Sequence, residues 1–136
     1  MLVVDASAVA ELLLGRPAAA DVGRHLADHE FDLHAPHLLD VEVLSALRRL
    51  TRIGEATAER AGEAVADLLD LPIERYGHEV LVPRAWELRD RFSAYDATYV
   101  ALADALADEG APLLTADARL GRAIRDRGAP AVLVVG

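Results

Sequence analysis

An α/β domain built on a parallel sheet is the fold class this sequence predicts, and three observations predict it. The chain opens on a continuous apolar run, Leu2-Val3-Val4, of the kind carried by a strand buried on both faces. Short β-rich pieces then alternate with longer helical stretches along the whole chain. Its 136 residues are one domain's worth, too few to bury a second core, so residues 1–136 read as a single domain. No long linker, repeat or low-complexity tract interrupts the alternation.

The elements follow in order. Ser7–Leu14 and Ala18–His29 read as helices separated by Gly15-Arg16-Pro17. Pro17 suits the first turn of the second helix, where its missing donor would be unpaired anyway. A short strand at Asp32–Ala35 precedes Pro36, and a long helix then runs to about Ile53, where Gly54 stops it. A helix over Thr57–Leu71 is entered at Glu55 to Thr57 and ended by Pro72, and Ile73–Tyr76 is a third strand. Helices around Val80–Phe92 and Asp96–Asp108 come next, and Gly110-Ala111-Pro112 leads into a strand at Leu113-Leu114. A last helix over Ala118–Arg127 closes at Gly128, and Val132–Val135 forms the final strand. About five strands result, and in such sheets sites lie beyond the carboxyl ends of the strands.

Composition narrows the chemistry. The 14 cations against 23 acids give a net charge of −9, and every cation is an arginine. Without lysine, a Gly-Lys-Ser/Thr phosphate loop and Schiff-base catalysis are excluded. Without cysteine, thiol nucleophiles, disulfides, Fe–S clusters and cysteine-ligated zinc are excluded too. What remains is carboxylates, hydroxyls, five histidines and the arginines. An acidic chain is a poor generic nucleic-acid binder, yet clustered acids can engage phosphate through divalent ions that reverse the local sign. Asp5 interrupts the first apolar stretch with no basic segment before it, and no apolar run reaches the roughly 18 residues a membrane span needs. The cytoplasm is therefore the expected compartment.

Four acids occupy telling positions. Asp5 directly follows the first strand, and Asp117 follows Leu113-Leu114-Thr115; both precede helices, where an Asp side chain commonly caps free amides. On the helix after Tyr95, Val100, Ala103 and Ala107 lie within about 40° of Asp96, which puts that acid on the buried face at the first turn. Glu42 lies about 60° from the centre of the stripe Leu39, Val43, Ala46, Leu50 and Ile53, on the rim of the core. An intrahelical pair with Arg49 or Ser45 is the competing, less favoured explanation for it. Asp40 reads as a first-turn charge favoured by the helix dipole. Were the four acids to converge, their repulsion would amount to several kcal/mol unless cations bind among them. Oxygen ligands of this kind suit Mg²⁺ or Mn²⁺, and phosphodiester cleavage is the natural reaction class.

Four blocks then carry a family resemblance. They are Val3-Val4-Asp5-Ala6-Ser7 with Leu12-Leu13 beyond it, and Leu39-Asp40-Val41-Glu42-Val43. The third is Ser93-Ala94-Tyr95-Asp96-Ala97 followed by Tyr99-Val100-Ala101-Leu102-Ala103, and the fourth is Leu114-Thr115-Ala116-Asp117 followed by Arg119-Leu120. In order and spacing, across nearly the whole chain, they resemble the PIN-domain ribonucleases, specifically the VapC-type toxins of bacterial type II toxin–antitoxin systems. The resemblance implies a PIN-like α/β/α sandwich with a five-stranded parallel sheet flanked by helices. It also implies a site in which Asp5, Glu42, Asp96 and Asp117 bind Mg²⁺ or Mn²⁺. Asp5 and Asp96 are the foremost direct ligands, and Ser7 and Thr115 stand near as hydroxyl donors. It further implies metal-dependent endoribonuclease activity, a VapB-type antitoxin that blocks the groove with an arginine in the acidic pocket, and a homodimer.

Other features are weighed beside these. Arg48, Arg49 and Arg52 on one helix, and Arg119, Arg122, Arg125 and Arg127 on another, are candidate RNA phosphate contacts; a solvated, charge-balanced face explains them equally well. His25 and His29 have the spacing of a zinc pair but lack the acid of a metalloprotease helix, so a polar helix face is the better reading. His34 and His37 flank Pro36 without a firm role, Trp86 and Leu88 read as core or dimer surface, and Leu12-Leu13-Leu14 exceeds what one face buries, which hints at a partner surface. Two other functions compete. An aspartyl-phosphate phosphatase would need an acid where Ser7 stands and a lysine, which is absent. A PIN-like module that binds RNA or antitoxin without cutting would have no use for the four acids.

Overall fold

The computed structural model describes residues 1–136. Strand β1 (Leu2–Val4) leads into α1 (Ala6–Leu13) and α2 (Ala19–Asp28); β2 (Leu33–Pro36) into α3 (Leu38–Arg52) and α4 (Ala58–Asp70). Then come β3 (Ile73–Tyr76), α5 (Val82–Glu87), α6 (Ala94–Ala105), β4 (Leu113–Thr115), α7 (Ala118–Arg127) and β5 (Val132–Val134). All five strands are parallel, in the order β3-β2-β1-β4-β5. This is the α/β class read from the sequence, with no helix long and apolar enough to cross a membrane.

The strand order decides where a site can form. The chain builds outward from β1 to β2 and β3, then returns to the other side of β1 for β4 and β5. Parallel crossovers keep one hand, so reversing direction sends the connecting helices to the opposite face. A crevice opens beyond the carboxyl ends of β1 and β4, where the order reverses. Asp5 and Asp117 are the residues that leave those strands.

Burial explains why β1 takes the centre. Leu2, Val3, Val4, Leu113 and Leu114 are essentially inaccessible, and each such side chain contributes about 1.5–3 kcal/mol. On α6, the inward face is Ala97, Val100, Ala101 and Ala103, small enough for the helix to lie close against β1, β2 and β4.

Several expectations change in detail. The helix expected over Val80–Phe92 shrinks to Val82–Glu87, because Leu88 and Phe92 turn inward to fill the core. The helix expected from Asp96 begins at Ala94, where the Ser93 hydroxyl caps the Asp96 amide at 3.1 Å. It ends at Ala105, a short 3-10 turn covers Ala107–Glu109, and left-handed Gly110 stops it. On α3 the buried stripe is Leu39, Val43, Leu47 and Leu50; Ile53 lies past the last turn and is 57% exposed. Of Leu12-Leu13-Leu14, Leu13 is buried and its two neighbours are half-buried against the core, because α2, α3 and α4 all close over α1.

One close approach is specified by a glycine. Gly121 lets α7 lie directly on β5, since a Cβ there would collide with the Val134 side chain. Gly121→Ala should lower stability by about 1–3 kcal/mol in urea unfolding, and adding Val134→Ala should recover much of that stability.

Candidate active site

Asp5, one residue past β1, is only 4% exposed. Its Oδ1 accepts the Ala8 amide at 3.0 Å, capping α1, and the Ser7 hydroxyl at 2.7 Å. Its Oδ2 accepts the Thr115 hydroxyl from the end of β4. The capping role and the inward-facing acid are thus one arrangement. The hydroxyls are fixed in turn: Ser7 Oγ accepts the Ala116 amide at 2.9 Å, and Thr115 Oγ1 accepts the Asp117 amide at 3.0 Å. Burial pushes the Asp5 carboxyl up to about 6; the bonds from Thr115, Ala8 and Ser7 resist that, and the charge of Asp117 adds to it.

Glu42 is half-buried on α3 at the rim of the crevice, and burial raises its pKa, with a further push from Asp96. The intrahelical pair with Arg49 or Ser45 does not form. Glu42 faces Tyr99 of α6 instead, whose buried hydroxyl lies close enough to pull the Glu42 carboxyl down against that burial, although its contacts with Glu42 and the Ala6 backbone fall outside full hydrogen-bond geometry. Burial first, then the charges of Glu42 and Asp5, hold this phenol protonated.

Asp96 and Asp117 share one cation. Arg119 Nη2 donates to Asp96 Oδ2 at 2.9 Å and to Asp117 Oδ2 at 3.2 Å. Asp117 also caps α7, accepting the amides of Arg119 at 2.9 Å and Leu120 at 3.2 Å. The four acids therefore lie at one end of the sheet in two electrostatically linked pairs, Asp5 with Asp117 and Glu42 with Asp96. No three acidic or histidine side chains are grouped as a ready-made cage for an ion. The donor chemistry fits a hard divalent cation all the same. Every ligand on offer is a carboxylate or hydroxyl oxygen, and the orphaned Tyr99 hydroxyl beside them lacks the partner that a hydrated ion brings.

A groove of about 630 Å³ lies between α1 and α3 and is lined by Ser7, Glu11, Arg16, Glu42, Arg49 and Tyr95, so Glu42 is the one acid of the four that opens into it.

Residues 2–125 match the family model described as PIN domain. The chain belongs to the PIN domain family. It is 46% identical over 122 residues to Ribonuclease VapC1 of Mycobacterium tuberculosis, covering 89% of each chain. It is 39% identical over 123 residues to Ribonuclease VapC12 of the same species, covering 90% of this chain and 91% of the relative. Its fold superposes with a TM-score of 0.66 on VapC20 of M. tuberculosis, a sarcin-ricin loop cleaving toxin, at 21% identity over 90% of this chain and 95% of that one.

Other residues of this PIN domain take structural roles. Asp40, read as a dipole charge, holds Arg75 of β3 through two bonds at 2.7 and 2.9 Å. His34 is buried between Asp32 and Tyr76, each at 2.7 Å, so it braces β2 and β3 away from the acids. His78 accepts the Leu38 amide at 2.8 Å at the start of α3, with His37 beside it. His29 bonds the His25 carbonyl, as a polar helix face would. Leu88 is core, whereas Trp86 is exposed and stacked under Arg89. Sequence reasoning missed Tyr99 and the Arg119 bridge. The i, i+3 step from Asp96 to Tyr99 was a usable signal for the first, but nothing local announces the second.

The Asp5 carboxyl binds its proton more tightly in the folded chain than the unfolded one, so its contribution favours folding at low pH. In chelator, stability should fall by about 2 kcal/mol between pH 4 and pH 6.5 on this account. Asp5→Asn, which keeps the shape but carries no charge, should remove that fall in denaturant titrations across the same range.

Proposed function

We propose that this PIN domain is a Mg²⁺- or Mn²⁺-dependent endoribonuclease, the toxin of a type II toxin–antitoxin pair, which hydrolyses RNA phosphodiester bonds at Asp5, Glu42, Asp96 and Asp117. One observation carries the reading. Acids from four separated segments stand at the same end of the sheet, two of them holding protons unusually tightly, in a chain 46% identical to a ribonuclease. Such crowding is a standing cost to the fold, and the natural relief is a bound dication.

In this reading Asp5 and Asp96 hold the metal, with Glu42 and Asp117 completing the acidic surround. The ion would supply positive charge to the phosphate oxygens and make the attacking water more acidic. The chain's own part is to fix the donors. Ser7, Thr115 and the Ala8 amide leave the Asp5 carboxylate one orientation, and the turn after β4 holds Asp117 through its own cap. Tyr99, protonated and buried beside Glu42, keeps a donor available to that carboxylate or to a water between them.

Substrate must reach an acidic protein, and the arginines free of acid partners support a reading of how it does. Arg127 is bound to Asp104 at 2.8 Å, whereas Arg49, Arg122 and Arg125 make no ion pair, and Arg49 lines the groove beside Glu42. Arg48 and Arg52 are unpaired too but line the other side of α3, against α4. We assign the phosphate contacts to Arg49, Arg122 and Arg125. A VapB-type antitoxin with an arginine on its blocking segment complements the same pocket. Homodimerisation and a cytoplasmic location belong to this proposal.

Asp96→Asn and Glu42→Gln should each cut Mg²⁺-dependent cleavage of single-stranded RNA by more than about a hundredfold while circular dichroism is unchanged. Undiminished cleavage by contaminant-free Asp96→Asn protein overturns the assignment. A protein that binds RNA but shows no cleavage with any divalent ion would be the non-cutting module instead. Separately, Arg122→Ala with Arg125→Ala should weaken RNA binding and flatten its salt dependence, the slope dropping by about 0.7 for each arginine that neutralises a phosphate, measured by anisotropy from low to moderate salt. Metal affinity by calorimetry should also weaken as pH falls through about 6, where Asp5 takes up its proton.

A further inference from the structure

We propose that Arg119 is a displaceable internal counter-cation: it occupies the Asp96–Asp117 pair while no metal is bound, and a divalent ion releases it to hold an RNA phosphate. The inference rests on the carboxylate metal site proposed above and goes beyond it in giving this side chain two successive partners.

Four observations carry it. The Arg119 guanidinium spans both carboxylates through a single nitrogen, Nη2. Nε and Nη1 have no partner, so three of its five N–H donors are free. The contact is also lopsided in exposure, since the Arg119 side chain is 65% exposed while those of Asp96 and Asp117 are 16% and 35% exposed. The acids are anchored, Asp117 by capping α7 and Asp96 by its place in the first turn of α6, so the arginine is the member free to leave. Finally, Arg119 stands in the first turn of α7, where the helix dipole and the free amides disfavour a cation. Helix stability alone gives no reason for an arginine there; the acid pair does.

Electrostatics then sets the exchange. One positive charge between two carboxylates partly neutralises them, but a dication on the same oxygens would face the guanidinium across a few ångströms as a like charge. The two cannot share the pair. Exposed ion pairs are individually weak, so the arginine yields to a metal while still lowering its apparent affinity. Once released, the guanidinium remains beside the site with its planar fork unoccupied, in the geometry that binds phosphate oxygens in pairs. Arg122 continues from it one turn along α7 and extends the same basic track.

The test is calorimetric titration of Mn²⁺ into the metal-free full-length protein, comparing wild type with Arg119→Ala, Arg119→Gln, Arg119→Lys and Asp96→Asn. Removing two exposed ion pairs corresponds to a gain of about three- to tenfold in Mn²⁺ affinity for Arg119→Ala and Arg119→Gln, with Arg119→Lys in between. Thermal melts should show the matching pattern, a lower midpoint for metal-free Arg119→Ala and a larger rise on adding Mn²⁺. In cleavage assays the half-saturating metal concentration should fall while KM for RNA rises, a pair of opposite changes that a merely structural residue would not give. Equal or weaker Mn²⁺ affinity in Arg119→Ala, or an unchanged KM, overturns the proposal. If Asp96→Asn abolishes Mn²⁺ binding while Arg119→Ala leaves it unaltered, the counter-cation role falls and the metal site stands. If Asp96→Asn binds Mn²⁺ as tightly as wild type, both readings fall together.

Discussion

A carboxylate buried at the end of the central strand is the constraint on which the rest of this molecule depends. Asp5 takes donors from three places at once: the amide of Ala8 in its own helix, the hydroxyl of Ser7, and the hydroxyl of Thr115 across the sheet. It therefore fixes the start of α1 and ties the carboxyl ends of β1 and β4 together at the point where strand order reverses. Polar groups this deep are tolerated only when paired, and here the pairing is also positional information. Thr115 holds the Asp117 amide and Ser7 holds the Ala116 amide, so the turn that delivers the fourth acid is set by the residues that satisfy the first.

Charge elsewhere in the chain is divided by task. Arg75 with Asp40 fastens β3 to α3, Arg127 and Arg84 both close on Asp104 of α6, and Arg16 links Glu11 to Glu55. These pairs join elements distant in sequence and use arginines whose fork suits carboxylates. The arginines left without an acid concentrate on α3 and α7, Arg49 facing the groove beside Glu42 while Arg48 and Arg52 face α4. A net charge of −9 thus hides a local arrangement in which free cations stand apart from the paired ones. Net charge describes solubility and long-range repulsion; placement of the unpaired charges describes what can approach.

Much of this was legible in the sequence. Leu2-Val3-Val4 followed by Asp5 told of a doubly buried strand with an acid at its carboxyl end, because a continuous apolar triplet has few other uses. The inward aspect of Asp96 and the rim position of Glu42 followed from helical periodicity, since each shares a helix with a clear apolar stripe. Strand order did not follow, for the reversal in it is set by a pairing between distant segments, Val3 with Leu113. Arg119 on Asp96 was hidden for the same reason, as its partner lies 23 residues away on another helix. How far the leucines at 12–14 are buried was hidden too, since the three helices that pack on α1 come from later in the chain or turn back on it. His34 was ambiguous because one polar residue in a strand says nothing of its partners, which Asp32 and Tyr76 supply only after β2 and β3 pair.

Departures from local rules gather in one corner of this protein and are scattered elsewhere, as in the left-handed Glu30 and Phe31 and in Arg60 at the first turn of α4. Thr57 and Ser93 cap their helices, Gly110 and Gly128 take the left-handed turns, and the apolar faces of α1, α3 and α7 pack without a buried polar orphan. Beyond β1 and β4, by contrast, a carboxylate is buried with its proton held to about pH 6, a second is pushed the same way, and a tyrosine hydroxyl lacks a partner. A cation also occupies the wrong end of a helix there. Each departure costs stability, and a sequence selected for folding alone would relieve them one at a time, with Asn for Asp5 or Phe for Tyr99. Under the proposed function all four would be eased by one event, a dication arriving with its waters: it would offset the charges of Asp5 and Glu42, offer Tyr99 a partner, and release Arg119 from the helix end. That one ligand would answer four separate strains is the physical reason to propose the corner as a site, since unrelated defects would have no common remedy.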